Sequence, residues 1–158
     1  REVDQRDAAE IAAIYNHYVI STTVSFETEP LSPEDMLRRI RNLSSGYPYF
    51  VAVVDGRVEG YCYAHPWKER AAYSLTWETT VYLRDGIGRS GLGRMLMTRL
   101  IDACRQRRCR SLIACITAEN EASVSFHRSL GFMQVSDFKK VGFKLGRFLD
   151  VVDFQLLL

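Results

Sequence analysis

The chain has 158 residues, enough to bury a hydrophobic core, and we interpret 1–158 as a single domain. Hydrophobic residues make up 47% of it and charged residues 25%, as in ordinary globular proteins, and the net charge is only +2. These values argue against a nucleic-acid partner and against a membrane surface.

The four cysteines include no C-x-x-C pair, so the pattern favours neither a disulfide framework nor a zinc site, and we expect no bound metal. No apolar run is long enough to span a bilayer, and no signal peptide is visible. The sequence is therefore typical of a cytoplasmic protein.

The first third of the chain predicts two helices separated by a loop. Asp7 and Glu10 have the spacing of a capping box, and apolar residues then recur at helical spacing. Residues 21–30 are polar and β-branched, which indicates a loop or a short extended segment. Ser32, as the N-cap before a proline, begins a second helix that should end by Gly46.

The middle of the chain predicts strands and one helix. Residues 49–54 and 58–64 flank the sequence Asp-Gly-Arg, which is a strong signal for a β-hairpin. Residues 74–83 alternate between apolar and polar side chains, so they predict a strand with Glu78 on its polar face. A glycine-rich turn and an amphipathic helix follow this strand.

The last third predicts a buried strand over 112–116 and a helix over 120–130 that Gly131 closes. Two more strands, 132–140 and 148–156, end the chain. The order of elements predicts an α/β (α+β) fold in which helices cover both faces of a mixed central sheet.

The glycine-rich turn is the clearest candidate for a binding site. Gly91 and Gly93 allow a ligand to approach the main chain, and the free N–H groups of the helix N-terminus favour an anion. Arg89 and Arg94 add cations that suit phosphate oxygens. The turn is not a P-loop, because no lysine follows the glycines. A Rossmann turn would follow the first strand of the chain, whereas this turn lies in the middle of it. We therefore expect a pyrophosphate here.

This turn resembles the acyl-CoA-binding motif of the GNAT acetyltransferases, Q/R-x-x-G-x-G/A, although Gly88 stands where Gln or Arg is usual. The later sequence SFHRSLGF resembles the family's helix that ends in LGF. Five further segments resemble the phosphinothricin and methionine sulfoximine acetyltransferase branch: IYNHY, TVSFETEP, YCYAHPWK, ETTVY and KLGRFLD. The resemblance covers nearly the whole chain and implies the GNAT fold, with a mostly antiparallel sheet.

The resemblance also implies acetyl-CoA as the cosubstrate. The main chain of Val81, Tyr82 and Leu83 would align the pantetheine arm, and Asn120 would bind that arm or order the helix that follows. The residues expected around the cofactor are Val81, Tyr82, Leu83, Arg89, Ser90, Gly91, Leu92, Gly93, Arg94, Asn120 and Ser123.

Two residues match the family's catalytic positions. Glu78 matches the acidic residue that acts as general base, directly or through water. Because a carboxylate has a pKa of only about 4.3 unless it is buried, a relay through ordered water is favoured. His127 stands where many relatives carry a tyrosine that protonates the CoA sulfur, and it would donate that proton or hydrogen-bond the cofactor.

The acceptor site is expected from the same resemblance, because cations suit a carboxylate or phosphinate and aromatic rings suit an aliphatic body. The candidate residues are Phe26, Glu27, Tyr63, Trp67, Lys68, Arg70 and Tyr73. His17 and His65 show no metal-ligand spacing and receive no role.

These features predict an N-acetyltransferase that moves acetyl from acetyl-CoA to the amine of a small amino-acid-like acceptor, by direct transfer in a ternary complex. Alternative acceptors are a polyamine, an aminoglycoside or a protein N-terminus. A second alternative is an acyl-CoA-binding module without catalysis. The branch usually forms homodimers, and the apolar terminal residues 148–158 are a possible contact.

Overall fold

The computed structural model describes residues 1–87 and 90–158, and within them a mixed sheet of seven strands forms the centre of the fold. The strands are β1 (Tyr49–Val54), β2 (Arg57–Pro66), β3 (Thr76–Leu83), β4 (Ser111–Thr117), β5 (Met133–Gln134), β6 (Phe138–Lys144) and β7 (Arg147–Leu157). Their order is β1-β2-β3-β4-β7-β5, and β6 pairs with β7. The β3–β4 pair is parallel, and the other pairs are antiparallel.

Helices cover both faces of this sheet, as predicted. The helices are α1 (Ala8–Ser21), α2 (Pro33–Ser44), α3 (Leu92–Gln106) and α4 (Glu121–Ser129). Apolar residues of α1 and α2 pack with β1 and β2 residues such as Val51 and Tyr61 in one buried cluster. On the other face, α3 and α4 pack against residues such as Leu112 and Phe154 in a second cluster. None of the helices in the described part of the chain combines the length and apolar character needed to cross a membrane.

The local signals for the first hairpin and for α2 are confirmed. Asp55 and Gly56 both have positive φ, 51° and 80°, as a two-residue turn between twisted strands requires. Ser32 accepts a hydrogen bond from the Asp35 N–H at 3.1 Å, and the reciprocal bond completes a capping box.

The capping box predicted for Asp7 and Glu10 is wrong. Asp4 and Asp7 cap each other instead, around a short 3-10 helix, and the Asp4 N–H donates to the Asp7 carboxylate at 2.7 Å. The Glu10 carboxylate instead accepts a hydrogen bond from the Val58 N–H at 3.1 Å and from Arg84 at 3.2 Å. Tertiary partners thus take Glu10 away from the helix end.

The single strand predicted over 132–140 is also wrong. It is divided into β5 and β6, and β6 continues to Lys144. The pairing of β6 with β7 is irregular between Phe138 and Gly142, where Lys140 has φ 55° and its N–H donates to the Asp150 carboxylate at 2.8 Å. This side chain holds the main chain in a bulge that periodicity does not reveal.

The site is positioned by the way β3 and β4 separate. Their parallel ladder pairs Thr76 with Ser111 and ends where Glu78 pairs with Ile113. Strand β3 then continues to Leu83 alongside β2 alone, while β4 continues alongside β7. The two strands therefore open directly after Glu78, and a cleft forms between them.

Candidate active site

Three adjoining cavities run along this opening within the described residues. The first, of about 630 Å³, lies between the end of β3 and α4 and is lined by residues that include Leu83, Gly93 and Phe126. The second, of about 130 Å³, lies between the diverging strands, and the third, of about 440 Å³, lies beyond Glu78. Glu78 is one of the residues that line both the second and the third cavity.

The N-terminus of α3 opens beside the first cavity. Gly91 is its N-cap with φ 82°, a conformation that favours glycine, and among residues 1–87 and 90–158 no N-cap side-chain hydrogen bond is found there. Gly91 is exposed, and a Cβ placed on it would meet no described atom within 4 Å. Uncapped N–H groups at the end of a 15-residue helix suit a pyrophosphate, so this part of the chain fits the expected cofactor.

The predicted phosphate ligands are placed differently from one another. Leu92 and Gly93 form the first turn of α3, and the Leu92 N–H lies 3.4 Å from the Ser90 hydroxyl. The Arg94 guanidinium donates to the Ser129 hydroxyl at 2.7 Å, so Arg94 is tied to the end of α4. Arg89 lies outside the described residues.

The groove that leads away from this helix end follows β3. Val81, Tyr82 and Leu83 line it, and the Tyr18 hydroxyl donates to the Leu83 carbonyl at 2.6 Å. This bond ties the last residue of β3 to α1. The backbone of β3 is therefore held in an extended conformation along the wall of the groove.

Asn120 and Ser123 lie at the start of α4, where the first and second cavities join. The Asn120 side chain accepts a hydrogen bond from the Ser123 N–H at 3.1 Å, so it caps the helix. Of the two roles predicted for Asn120, ordering the following helix is the one this contact fulfils.

His127 is 4% exposed and lines the second cavity together with Glu78. Its Nδ1 atom lies 2.9 Å from the Ser123 carbonyl, which can only accept, so Nδ1 carries the hydrogen and the neutral ring has its lone pair on Nε2. Burial lowers the pKa of His127, while the bond to Ser123 raises it less. The neutral imidazole is therefore the favoured form.

Glu78 is the central titratable group of the site. Burial raises the pKa of its carboxyl group, nearby His65 lowers it, and Asp153 raises it. Its Oε1 atom lies 3.8 Å from Nε2 of His65. A carboxylate in this setting is a stronger base than one in water, which is what proton removal from an amine requires.

The third cavity is lined by three of the residues predicted for the acceptor site, Phe26, Glu27 and Tyr63. Glu27 accepts two hydrogen bonds from Arg39, at 2.6 and 3.0 Å, so its charge is already paired. The sequence analysis did not identify most of the lining, which comes from distant elements: Tyr15, Val24, Ser25, His65, Thr80, Cys115, Thr117 and Val151.

The other four predicted acceptor residues lie on the segment after β2. Trp67 and Tyr73 pack edge to face at 5.3 Å, and the Lys68 ammonium lies 4.1 Å from the centre of the Trp67 ring. These residues and Arg70 are absent from the lining that the described residues give to the third cavity. Their contact with an acceptor stays a prediction.

Cys115 lies on the cavity face of β4. Burial raises the pKa of its thiol to about 12, with smaller contributions from the charges of Glu78 and Asp153. The thiol is therefore protonated at neutral pH.

The residues that the structure describes contain no cluster of three or more His, Cys, Asp or Glu side chains placed to hold a metal ion.

Strands β3 and β4 open beside the N-terminus of α3. The edge of β3 can bind the extended arm of a thioester, and the N–H groups of the helix can bind the phosphates at the end of that arm. On this basis we class the protein as an acyl-CoA-dependent acyltransferase. The chain belongs to the GNAT acetyltransferase family, because residues 1–152 match the family model described as an acetyltransferase (GNAT) domain.

Individual relatives agree with this assignment. The chain is 38% identical to phosphinothricin N-acetyltransferase from Streptomyces viridochromogenes over 151 residues, which cover 96% of this chain and 82% of that protein. It is 36% identical to L-methionine sulfoximine/L-methionine sulfone acetyltransferase from Salmonella typhimurium over 160 residues, covering 100% and 93%.

Its structure is similar to that of a GNAT superfamily phosphinothricin acetyltransferase from Sinorhizobium meliloti in complex with acetyl-CoA, with a TM-score of 0.97 and 34% identity. The match covers 100% of this chain and 86% of that one. The protein is therefore an acetyl-CoA-dependent N-acetyltransferase, and the predicted fold class and cosubstrate are confirmed.

Proposed function

We propose that this enzyme acetylates the α-amine of a small amino-acid-like acceptor such as phosphinothricin or methionine sulfoximine, by direct transfer in a ternary complex. The names of its relatives support this acceptor class. The observation that carries the proposal is the position of Glu78, a half-buried residue that lines both the cavity for the thioester and the adjoining cavity of about 440 Å³. That volume suits a small acceptor.

Glu78 prepares the acceptor. An α-amine has an ordinary pKa of roughly 8, so much of it is protonated at neutral pH and cannot attack a thioester. Glu78 takes one proton from the ammonium group, directly or through an ordered water. The raised pKa of its carboxyl group makes this transfer less uphill than it would be for an exposed carboxylate.

Acetyl-CoA supplies an activated acetyl group when it binds. A backbone N–H at the end of β3 donates to the thioester oxygen as negative charge develops there. His127 acts on the CoA sulfur through its Nε2 atom, because Nδ1 donates its hydrogen to the Ser123 carbonyl. Nε2 accepts the second proton from the attacking nitrogen and passes it to the departing sulfur, so the ring begins and ends neutral.

Direct transfer is supported by the state of Cys115. An acyl-enzyme route would need a thiolate, and the pKa of the Cys115 thiol is about 12. The acceptor amine is then the only nucleophile that the reaction requires. We retain Lys68 and Arg70 as proposed ligands for the acceptor's carboxylate, on the segment that follows β2.

We also propose that the enzyme is a cytoplasmic homodimer. The β6–β7 hairpin exposes apolar side chains, among which Phe143 and Phe148 are 63% and 62% exposed and pack on each other at 5.1 Å. A second copy of this chain would cover them. Light scattering of wild type and Phe148→Asp tests this, because a dimer should become a monomer, and a wild-type monomer would refute it.

The acceptor class is tested by following thiol release from acetyl-CoA with methionine sulfoximine, phosphinothricin, methionine sulfone, spermidine and an aminoglycoside. We expect turnover of the first three compounds. Glu78→Gln should lower kcat by about 100-fold or more and leave acetyl-CoA binding unchanged. The matched control is Glu29→Gln, at an exposed glutamate of the α1–α2 loop. Turnover of spermidine alone would refute the acceptor, and an active Glu78→Gln would refute the base.

A further inference from the structure

His65 faces Glu78 across the β2–β3 ladder. The two residues are Cα partners in this antiparallel pair, and Nε2 of His65 lies 3.8 Å from Oε1 of Glu78. Their side chains are 29% and 28% exposed, and both line the acceptor cavity. This distance is within the range of an ion pair. It is less than 1 Å longer than the usual nitrogen–oxygen distance of a hydrogen bond.

The orientation of the His65 ring is fixed by its own strand. Nδ1 lies 3.0 Å from the Pro66 carbonyl, which can only accept, so Nδ1 carries the hydrogen. The neutral ring therefore has its lone pair on Nε2, the atom that faces Glu78. If the ring takes up a proton there, an imidazolium stands next to the carboxylate.

The groups around Glu78 leave His65 as the neighbour that can accept a proton from it. The thiol of Cys115 on β4 and the carboxylate of Asp153 on β7 lie near Glu78, and Glu27 of the α1–α2 loop lines the same cavity. Among the described residues that line the acceptor cavity, His65 is the one basic side chain. Each turnover leaves one proton on Glu78, which must lose it before the next acceptor can be deprotonated.

We propose that His65 is a positioning residue that removes the acceptor's proton from Glu78 and holds the regenerated carboxylate. This rests on the role of Glu78 in the proposed function. An N–H bond of the ammonium breaks as the O–H bond of Glu78 forms. That O–H bond then breaks as Nε2–H forms on His65, and the imidazolium releases the proton to water, because the ring is partly exposed.

The test compares wild type, His65→Gln, His65→Ala and the control His17→Gln, whose side chain is 39% exposed on α1. We expect His65→Gln to lower kcat about tenfold and to move the acid limb of the kcat/KM profile to higher pH, because Glu78 loses its cation. The KM for acetyl-CoA should not change. Added imidazole should restore activity to His65→Ala, and His17→Gln should match wild type.

A second measurement needs no acceptor. An NMR titration of the Glu78 carboxyl carbon should give a higher pKa in His65→Gln than in wild type. An unchanged titration, or His65 variants without a shifted acid limb or imidazole rescue, would overturn the role of His65. An active Glu78→Gln would instead overturn the proposed function, so the two failures are distinguishable.

Discussion

Lys144 donates a hydrogen bond from Nζ to the Ser25 carbonyl at 2.6 Å, across 119 positions of the sequence. The side chain comes from the end of β6, and Ser25 lies in the α1–α2 loop that lines the acceptor cavity. Lys144 is 5% exposed, and burial lowers the pKa of its ammonium group while the charge of Glu27 raises it. The β6–β7 hairpin therefore holds one wall of the cavity in place.

Lys144→Met should loosen that wall. The substitution keeps the length of the side chain but removes the donor to Ser25, which we expect to cost about 1–3 kcal/mol of unfolding free energy. The KM for the acceptor should rise while the KM for acetyl-CoA stays the same. Denaturant unfolding and steady-state kinetics measure both. Lys139→Met, at an exposed lysine of the same strand, is the control, and an equal effect there would contradict the prediction.

Gly142→Ala should act on the acceptor cavity through Phe26. A Cβ on Gly142 would overlap the Phe26 ring, which packs against the β6 backbone and lines the cavity. The ring must move, so we expect a several-fold higher KM for the acceptor and unchanged binding of acetyl-CoA. Gly46→Ala is the control, because a Cβ there meets nothing within 4 Å. An unaltered acceptor KM in Gly142→Ala would show that the position of Phe26 does not matter.

His127 should make the fold sensitive to acid. Burial lowers the pKa of His127 below its ordinary value of 6.5, so the unfolded chain binds this proton more readily. The contribution of His127 to stability is therefore present above pH 6.5 and is lost as the pH falls through the lower folded pKa. We expect His127→Gln to lose less stability than wild type between pH 7 and 5, as measured by thermal unfolding. The same pH slope in both proteins would contradict this.

Asn120 variants separate the helix cap from cofactor binding. Asn120→Ala should cost about 0.5–2 kcal/mol, because the Ser123 N–H loses its acceptor. Asn120→Asp keeps an oxygen at this position and should keep the stability, but it removes the amide donor of a residue that lines the cofactor groove. We expect a higher KM for acetyl-CoA in both variants. A normal KM in Asn120→Asp would restrict Asn120 to capping.

The sequence by itself determined the features that depend on neighbouring residues. Asp55 and Gly56 specify a turn with two positive φ angles, and Ser32 specifies a helix start, because both effects act within four residues. Alternation along 74–83 placed Glu78 on the polar face, and the glycines near Gly91 marked the helix end, for the same local reason.

Only the tertiary structure decided which distant groups meet. The Glu10 carboxylate binds the Val58 N–H and the Arg84 guanidinium instead of capping the helix. Hydrogen bonds to a buried main-chain donor and to a cation stabilise it more than a bond at an exposed helix end would. His65 faces Glu78 only through the register of β2 and β3, which side-chain periodicity does not fix. The cavity walls come from strands and loops far apart in the chain, so their residues carry no shared local signal, and packing alone brings them together.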